Sequence, residues 1–179
     1  MPNNIIEFRR EVHKHPELSG EEAQTNKRIR DFIEQFEPDQ TIELENNGIA
    51  FQFNGKEPEK GKCLVFRAEM DALPIQENGD LEYKSQVSGI AHVCGHDGHL
   101  ASVLALADKV SGNNLKMGKV ILLFQPAEET GQGAFEVLNG KNWDQIEPDY
   151  MFAYHNIPGY PTGEVILKKI SFASASKGM

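Results

Sequence analysis

The sequence lacks most features that mark secreted, membrane-spanning or nucleic-acid-binding proteins. Its 179 residues include two cysteines, Cys63 and Cys94, which are too few for a disulfide framework. No apolar run approaches the ~18 residues that a bilayer-spanning helix needs, and the first stretch, MPNNIIEFRREVHKHPE, has no uninterrupted apolar core of the kind found in signal peptides. Aspartate and glutamate outnumber lysine and arginine by 27 to 18, and this formal charge of −9 repels phosphate. We therefore expect a cytoplasmic protein with reduced thiols that binds neither nucleic acid nor membranes.

Apolar periodicity predicts two helices and a hairpin in the first third of the chain. In IIEFRREVHKHPE the apolar residues recur at helical spacing until Pro16. Ser19 and Glu22 match a capping box that would begin a second helix. The stretch TIELENNGIAFQF alternates apolar and polar residues on both sides of NNG, a pattern typical of a β-hairpin.

The rest of the chain predicts a parallel sheet. Three apolar stretches, CLVFRAEMDALP, KVILLFQP and DYMFAYHNIPG, read as strands, and helical patterns from Leu100 to Val110 and in GAFEVLNGK lie between them. This alternation favours an α/β fold with a mostly parallel sheet and helices on both faces. No repeat, low-complexity tract or linker divides the chain.

Chemically reactive side chains follow each of the three apolar strands. Sites in open parallel sheets form beyond the carboxyl ends of the strands, so these side chains are expected at one edge. The positions are Asp71, Cys94 with His96, Glu128 with Glu129, and His155.

Taken singly, most of these residues have an ordinary explanation. A lone histidine such as His155 is more often a surface or hydrogen-bonded residue, and adjacent glutamates usually belong to a solvated loop. Cys94 and His96 differ, because a thiolate and an imidazole joined by one glycine at the start of a helix suit a divalent ion.

Other candidate residues are left open or assigned to the fold. His92 and His99 could be extra ligands, partners of ligands or residues of the helix face. His13 and His15, on a polar helix and beside a proline, are not expected to bind metal. Cys63 is expected to be a small buried hydrophobic residue.

Three motifs in this order, FRAEMDALP, VCGHDGH and LLFQPAEETGQGA, resemble those of the dinuclear metallohydrolases that include aminoacylases, hippurate hydrolases and auxin-conjugate amidohydrolases. The opening FRREVHKHPELSGEE is also similar to the N-terminal helix and loop of that family. The resemblance implies a zinc-peptidase-like catalytic domain. It also implies a hydrolase that cleaves the amide bond of N-acyl amino acids or short peptides with metal-activated water.

The resemblance implies a metal site with two divalent ions. Cys94 matches the cysteine that bridges the ions, and His96, Glu129 and His155 match further ligands. A soft thiolate favours Zn²⁺, while Mn²⁺ and Co²⁺ are alternatives in mixed nitrogen, oxygen and sulfur sites.

The resemblance also implies two acidic residues that act beside the ions. Glu128 matches the general base, and Asp71 matches the acid that orients a ligand. Asp97 is expected to have a structural or supporting role. Glu69 stands where an aspartate is common in the family, a change that we expect to be tolerated because Asp71 is in place.

The motifs cover only the first part of such an enzyme. The resemblance implies that residues 1–179 are the N-terminal part of the catalytic domain, and we expect the lid or dimerisation domain and the returning C-terminal part, with a last histidine ligand, to be absent. We expect exposed apolar surface, little turnover by the chain alone, and a homodimer for the full-length form. The alternative hypothesis is a non-catalytic metal-binding fragment or interaction module that lacks the final ligand and the lid. A purely structural zinc site is disfavoured because such sites use four cysteine or histidine ligands at short paired spacings.

Overall fold

The computed structural model describes residues 4–112 and 114–167, which form a mixed β-sheet with helices on both of its faces. The helices are α1 (Ile5–Lys14), α2 (Ala23–Ile33), α3 (His96–Leu104), α4 (Ala107–Val110) and α5 (Gly133–Asn139). The strands are β1 (Gln40–Glu43), β2 (Ile49–Asn54), β3 (Cys63–Glu69), β4 (Lys119–Gln125) and β5 (Tyr150–Ala153). Within these ranges, none of the helices combines the length and the apolar character needed to cross a membrane.

The sheet combines a hairpin with three parallel strands, in the order β1-β2-β4-β3-β5. The β1 and β2 strands pair antiparallel, β2 also runs antiparallel to β4, and β3 lies parallel to both β4 and β5. A short turn can join only antiparallel strands, whereas the helical crossovers after β3 and β4 allow parallel pairing. The predicted α/β fold is therefore confirmed, and the predicted hairpin makes the sheet mixed.

Strand β4 lies at the centre of two hydrophobic layers. Its Leu122 and Phe124 pack into the cluster formed with α1, α2 and α3, while Ile121 and Leu123 pack into the cluster on the α5 face. All four side chains are buried, as expected for a continuous apolar strand that is covered on both sides. The helix predicted from Leu100 to Val110 is interrupted, because α3 ends before α4 begins.

The predicted capping box at Ser19 is wrong. The N-cap of α2 is Glu22, which makes no side-chain capping hydrogen bond. The hydroxyl of Ser19 instead donates to Asp71 Oδ2 at 2.7 Å. A hydrogen bond to a buried carboxylate is stronger than one to a neutral acceptor, and the Ser19 side chain that makes it does not cap the helix.

The third apolar strand, β5, is exposed. Tyr150, Met151 and Phe152 are 56%, 47% and 47% exposed, and β5 pairs on one side only among the described residues. The ring of Phe152 stacks on Phe66 at 5.1 Å between centroids. The expected apolar surface is therefore present at this edge of the sheet.

Candidate metal centre

The residues that follow the strands lie close together around His96. Cys94 Sγ is 3.3 Å from His155 Nε2. The Nε2 atom of His96 is 3.7 Å from a carboxylate oxygen of Glu128 and 3.7 Å from one of Glu129. Potential ligand atoms of Cys94, His96 and His155 all lie within 4.8 Å of one another, and the same holds for His96, Glu128 and Glu129.

The parallel strands bring these side chains together. Glu128 and Glu129 follow β4, His155 lies two positions after β5, and His96 is the first residue of α3. The carboxyl ends of neighbouring parallel strands meet at one edge of a sheet, which is where the cluster forms. The predicted location of the site is thus the observed location of the cluster.

Glu22 supports the loop that carries the glutamate pair. Ala127 has a left-handed backbone, with φ of 48°, a conformation that costs a non-glycine residue about 1–2 kcal/mol. The buried carboxylate of Glu22 accepts the backbone N–H of Ala127 at 2.8 Å and that of Gly20 at 2.9 Å. Sequence reasoning missed this role because it assigned Glu22 to a helix cap.

Asp71 fixes the orientation of His96. The Nδ1 of His96 lies 2.9 Å from the backbone carbonyl oxygen of Asp71 and 3.2 Å from its Oδ1. Nδ1–H therefore donates to Asp71, and the lone pair of Nε2 is free to bind a cation. Oδ2 of Asp71 accepts the backbone N–H of Glu129 at 2.9 Å. Burial by itself would raise the pKa of Asp71, but the hydrogen bonds from His96, Glu129 and Ser19 outweigh it and lower that pKa.

Two buried atoms of the cluster have no hydrogen-bond partner among the described residues. These atoms are His96 Nε2 and Glu129 Oε1, 3.7 Å apart. Buried polar atoms are nearly always satisfied, and a cation between these two would satisfy both. The thiol of Cys94 and the imidazole of His155 add sulfur and nitrogen donors, so the donor set fits a divalent transition metal.

The electrostatics of the cluster also favour a cation. Burial and the nearby Glu129 raise the pKa of the Cys94 thiol to about 12. Burial raises the pKa of Glu128 above its ordinary value, although His96 opposes the shift. A bound divalent cation would reverse these penalties by stabilising thiolate and carboxylate together.

The sequence left open His99 and gave Glu69 and Asn156 no role in the site, yet all three lie beside the cluster. Glu69 is 3% exposed, forms an ion pair with Arg67, and lies with Oε2 2.9 Å from Nδ1 of His99. His99 in turn contacts Asn156, at 2.6 Å from Nε2 to Oδ1. The stretch YHN already placed Asn156 beside His155, but its amide carries no sequence signal of a contact with the helix.

Asp97 and the remaining histidines connect elements of the fold. The buried carboxylate of Asp97 accepts Arg9 Nε–H at 2.7 Å and lies 2.9 Å from Nδ1 of His13, which ties α3 to α1. This agrees with the structural role expected for Asp97. His92 is buried with both ring nitrogens unpartnered among the described residues, and burial lowers its pKa to about 4.

Comparisons with known proteins identify the family of the chain. The family described as Peptidase family M20/M25/M40 matches residues 65–171. N-acetyldiaminopimelate deacetylase of Priestia megaterium is 35% identical over 178 residues, which cover 98% of this chain and 46% of that protein. Thermostable carboxypeptidase 1 of Saccharolobus solfataricus is 38% identical over 170 residues, which cover 92% of this chain and 42% of that protein.

A solved structure shows the same fold. A Bacillus subtilis protein described as a dinuclear metal binding peptidase superposes with a TM-score of 0.74 and 37% identity, covering 88% of this chain and 43% of that chain. The chain therefore spans a little under half the length of these relatives.

Proposed function

The chain belongs to peptidase family M20/M25/M40, and from this premise we propose that it carries the metal centre of a hydrolase. The proposed reaction is cleavage of the amide bond of an N-acyl amino acid or short peptide. Relatives described as a deacetylase and a carboxypeptidase support this substrate class, since both names imply hydrolysis of an amide next to an amino acid.

One observation carries the proposal. His96 Nε2 and Glu129 Oε1 are buried and unpartnered among the described residues, and His96 also groups with the thiol of Cys94 and the imidazole of His155, with potential ligand atoms within 4.8 Å of one another. We propose Cys94, His96, Glu129 and His155 as ligands of two divalent ions. The dinuclear site of the similar Bacillus subtilis protein supports this number. Zn²⁺ or Mn²⁺ is the proposed ion, with Co²⁺ as an alternative.

Such ions, when bound, lower the pKa of water and polarise the carbonyl group of the scissile amide. The carboxylate of Glu128 can take a proton from the attacking water as its oxygen adds to the carbonyl carbon. It can return that proton to the nitrogen as the carbon–nitrogen bond breaks. Burial raises the pKa of Glu128 above its ordinary value, which strengthens the carboxylate as a proton acceptor. Asp71 keeps Nδ1 of His96 protonated and Nε2 directed at the site.

We propose that residues 1–179 form the ligand-bearing part of the catalytic domain of a longer protein. The share of the relatives that the chain covers supports this assignment. A homodimer of the full-length form and a cytoplasmic location remain proposals of the same kind.

Metal content tests the proposal directly. Elemental analysis of the purified chain should find about two ions per chain, the number held by two-metal hydrolytic sites. Cys94→Ala should lose most of this metal. Cys63→Ala, which removes the other thiol from the buried core, is the matched control and should retain it. Absence of metal from the wild type, or full retention by Cys94→Ala, would contradict the proposed centre.

Activity tests the substrate class. The full-length protein should release amino acid from a panel of acetyl, benzoyl and peptidyl amino acids, and a chelator should abolish the release. A metal-loaded full-length protein that hydrolyses none of them would contradict the proposed reaction.

A further inference from the structure

Asn156 connects the segment after β5 to helix α3. Its backbone N–H donates to Nε2 of His99 at 3.2 Å, and its side-chain Oδ1 lies 2.6 Å from the same nitrogen. The neighbouring Tyr154 hydroxyl donates to the backbone carbonyl oxygen of His99 at 3.2 Å. In the described structure, these contacts attach the exposed residues around His155 to the body of the protein.

His99 is itself held by a buried carboxylate. Its Nδ1 lies 2.9 Å from Glu69 Oε2, and the side chains of His99 and Glu69 are 2% and 4% exposed. A carboxylate can only accept, so Nδ1 donates to Glu69, and Nε2 faces Asn156, where it can accept the backbone N–H or donate to Oδ1 but not both. Glu69, His99 and Asn156 therefore form a chain of contacts that runs from a strand end to the loop with His155.

The same asparagine lies against the loop that carries Cys94. Gly95 has φ of +101°, and a Cβ built at this position would lie 2.4 Å from Asn156 Oδ1. The absence of a side chain at Gly95 thus leaves room for the amide of Asn156. One side chain therefore touches the loop with Cys94 and follows His155 directly, and Cys94 Sγ and His155 Nε2 are 3.3 Å apart.

We propose that Asn156, held by the Glu69–His99 pair, is a positioning residue that sets the distance between His155 and Cys94. This inference rests on the proposed metal centre. The residues around His155 are exposed, so burial contributes little to their placement, and the directional contacts of Tyr154 and Asn156 with His99 supply it. Supporting groups of this kind commonly affect metal affinity about 10- to 100-fold.

Titration of the metal-free, 179-residue chain with Co²⁺ tests the inference. Bound Co²⁺ gives a near-ultraviolet thiolate charge-transfer band that reports Cys94, and visible bands whose intensity reports the coordination geometry. Asn156→Ala should weaken Co²⁺ binding about 10- to 100-fold. It should also change the visible bands while the thiolate band is retained. The urea midpoint of the metal-free variant should stay at the wild-type value, because the side chain is exposed.

Asn139→Ala is the matched control. Asn139 is also exposed, and its side chain donates a hydrogen bond to the carbonyl oxygen of Phe135 within α5. Its Co²⁺ affinity and spectrum should equal those of the wild type. Equal affinity and spectrum for Asn156→Ala would overturn the inference while leaving the metal centre intact. A wild type with no thiolate band would overturn both.

A double-mutant cycle distinguishes a connected chain from independent effects. Glu69→Gln should weaken Co²⁺ binding in the same direction as Asn156→Ala. The double variant should bind Co²⁺ only slightly less tightly than the single variant with the lower affinity, since both changes break one chain of contacts. Losses that simply multiply would show that Glu69 does not act through Asn156 and would overturn the proposed arrangement.

Discussion

Asp71 contacts Nδ1 of His96 with two of its oxygens, the backbone carbonyl oxygen at 2.9 Å and Oδ1 at 3.2 Å. One residue therefore determines both the ring orientation and the tautomer of the central histidine. Its other carboxylate oxygen accepts the backbone N–H of Glu129, so the same side chain also places the loop with the glutamate pair.

Replacement of this carboxylate should weaken the metal site. We expect Asp71→Asn to lower metal affinity about 10- to 100-fold, because an amide holds the imidazole and the Glu129 backbone less firmly. Isothermal titration with Zn²⁺ measures the change. Asp149→Asn is a suitable control, since Asp149 also accepts two hydrogen bonds, from Lys62 and from the Cys63 backbone, away from the cluster. An unchanged affinity for Asp71→Asn would argue against its orienting role.

The sequence predicted the composition of the cluster and the orienting acid Asp71, but not the supporting residues Glu22 and Asn156. Spacing in short motifs identified Cys94 and His96, and the rule for parallel sheets placed Glu129 and His155 at the same edge. The contacts of Glu22 with Ala127 and of Asn156 with His99 join residues 105 and 57 positions apart. Pairings at such sequence separations depend on the folded geometry, and no local pattern around a glutamate or an asparagine predicts them.

The fold shows the same division between local pattern and tertiary contact. Alternation predicted the hairpin, and the apolar run from Val120 to Phe124 predicted a buried strand, because both patterns report local geometry and burial. Ser19 was assigned wrongly, since its capping motif competes with a buried carboxylate that the local sequence does not contain. The apolar composition of β5 predicted a strand correctly and could not show that its faces are exposed.

A pH-dependent ion pair connects α1 to α3. His13 Nδ1 lies 2.9 Å from Asp97 and Nε2 lies 3.2 Å from Glu77, and Arg9 also binds Asp97. The hydrogen bond to Asp97 raises the pKa of His13 above 6.5, although burial opposes the shift. A raised pKa in the folded state means that the stabilisation is fully present below the unfolded-state value and is lost as the pH rises through the folded-state value.

We therefore expect His13→Gln to reduce the free energy of unfolding more at about pH 6 than at about pH 9, on either side of the ordinary histidine range. Urea unfolding at both pH values measures the difference. His15→Gln is the control, because its partner Glu11 is 42% exposed and such pairs contribute little. A His13→Gln penalty that is equal at both pH values, or larger at high pH, would contradict the assigned ion pair.

The core of α3 should contribute strongly to stability. Leu100 is fully buried in the main hydrophobic cluster, whereas Leu138 on α5 is 51% exposed. Leu100→Ala should lower the free energy of unfolding by about 2–5 kcal/mol, because it leaves a cavity. Leu138→Ala should change it by about 0.5 kcal/mol or less. Equal urea midpoints for the two variants would contradict the described packing.

Gly133 is required by the turn that carries Glu128 and Glu129. A Cβ at Gly133 would lie 1.7 Å from the carbonyl oxygen of Pro126, whereas a Cβ at Gly98 would meet nothing within 4 Å. Gly133→Ala should cost about 1–3 kcal/mol of stability, as overpacking does. It should also weaken Co²⁺ binding, because the backbone that must move leads directly to the glutamate pair.

Gly98→Ala, inside α3, should instead stabilise the protein by about 0.5–1 kcal/mol through lower backbone entropy in the unfolded chain. Urea unfolding and Co²⁺ titration of both variants measure these opposite effects. Equal stabilities and equal Co²⁺ affinities for Gly133→Ala and Gly98→Ala would show that the glutamate pair does not depend on the close packing of the turn against Gly133.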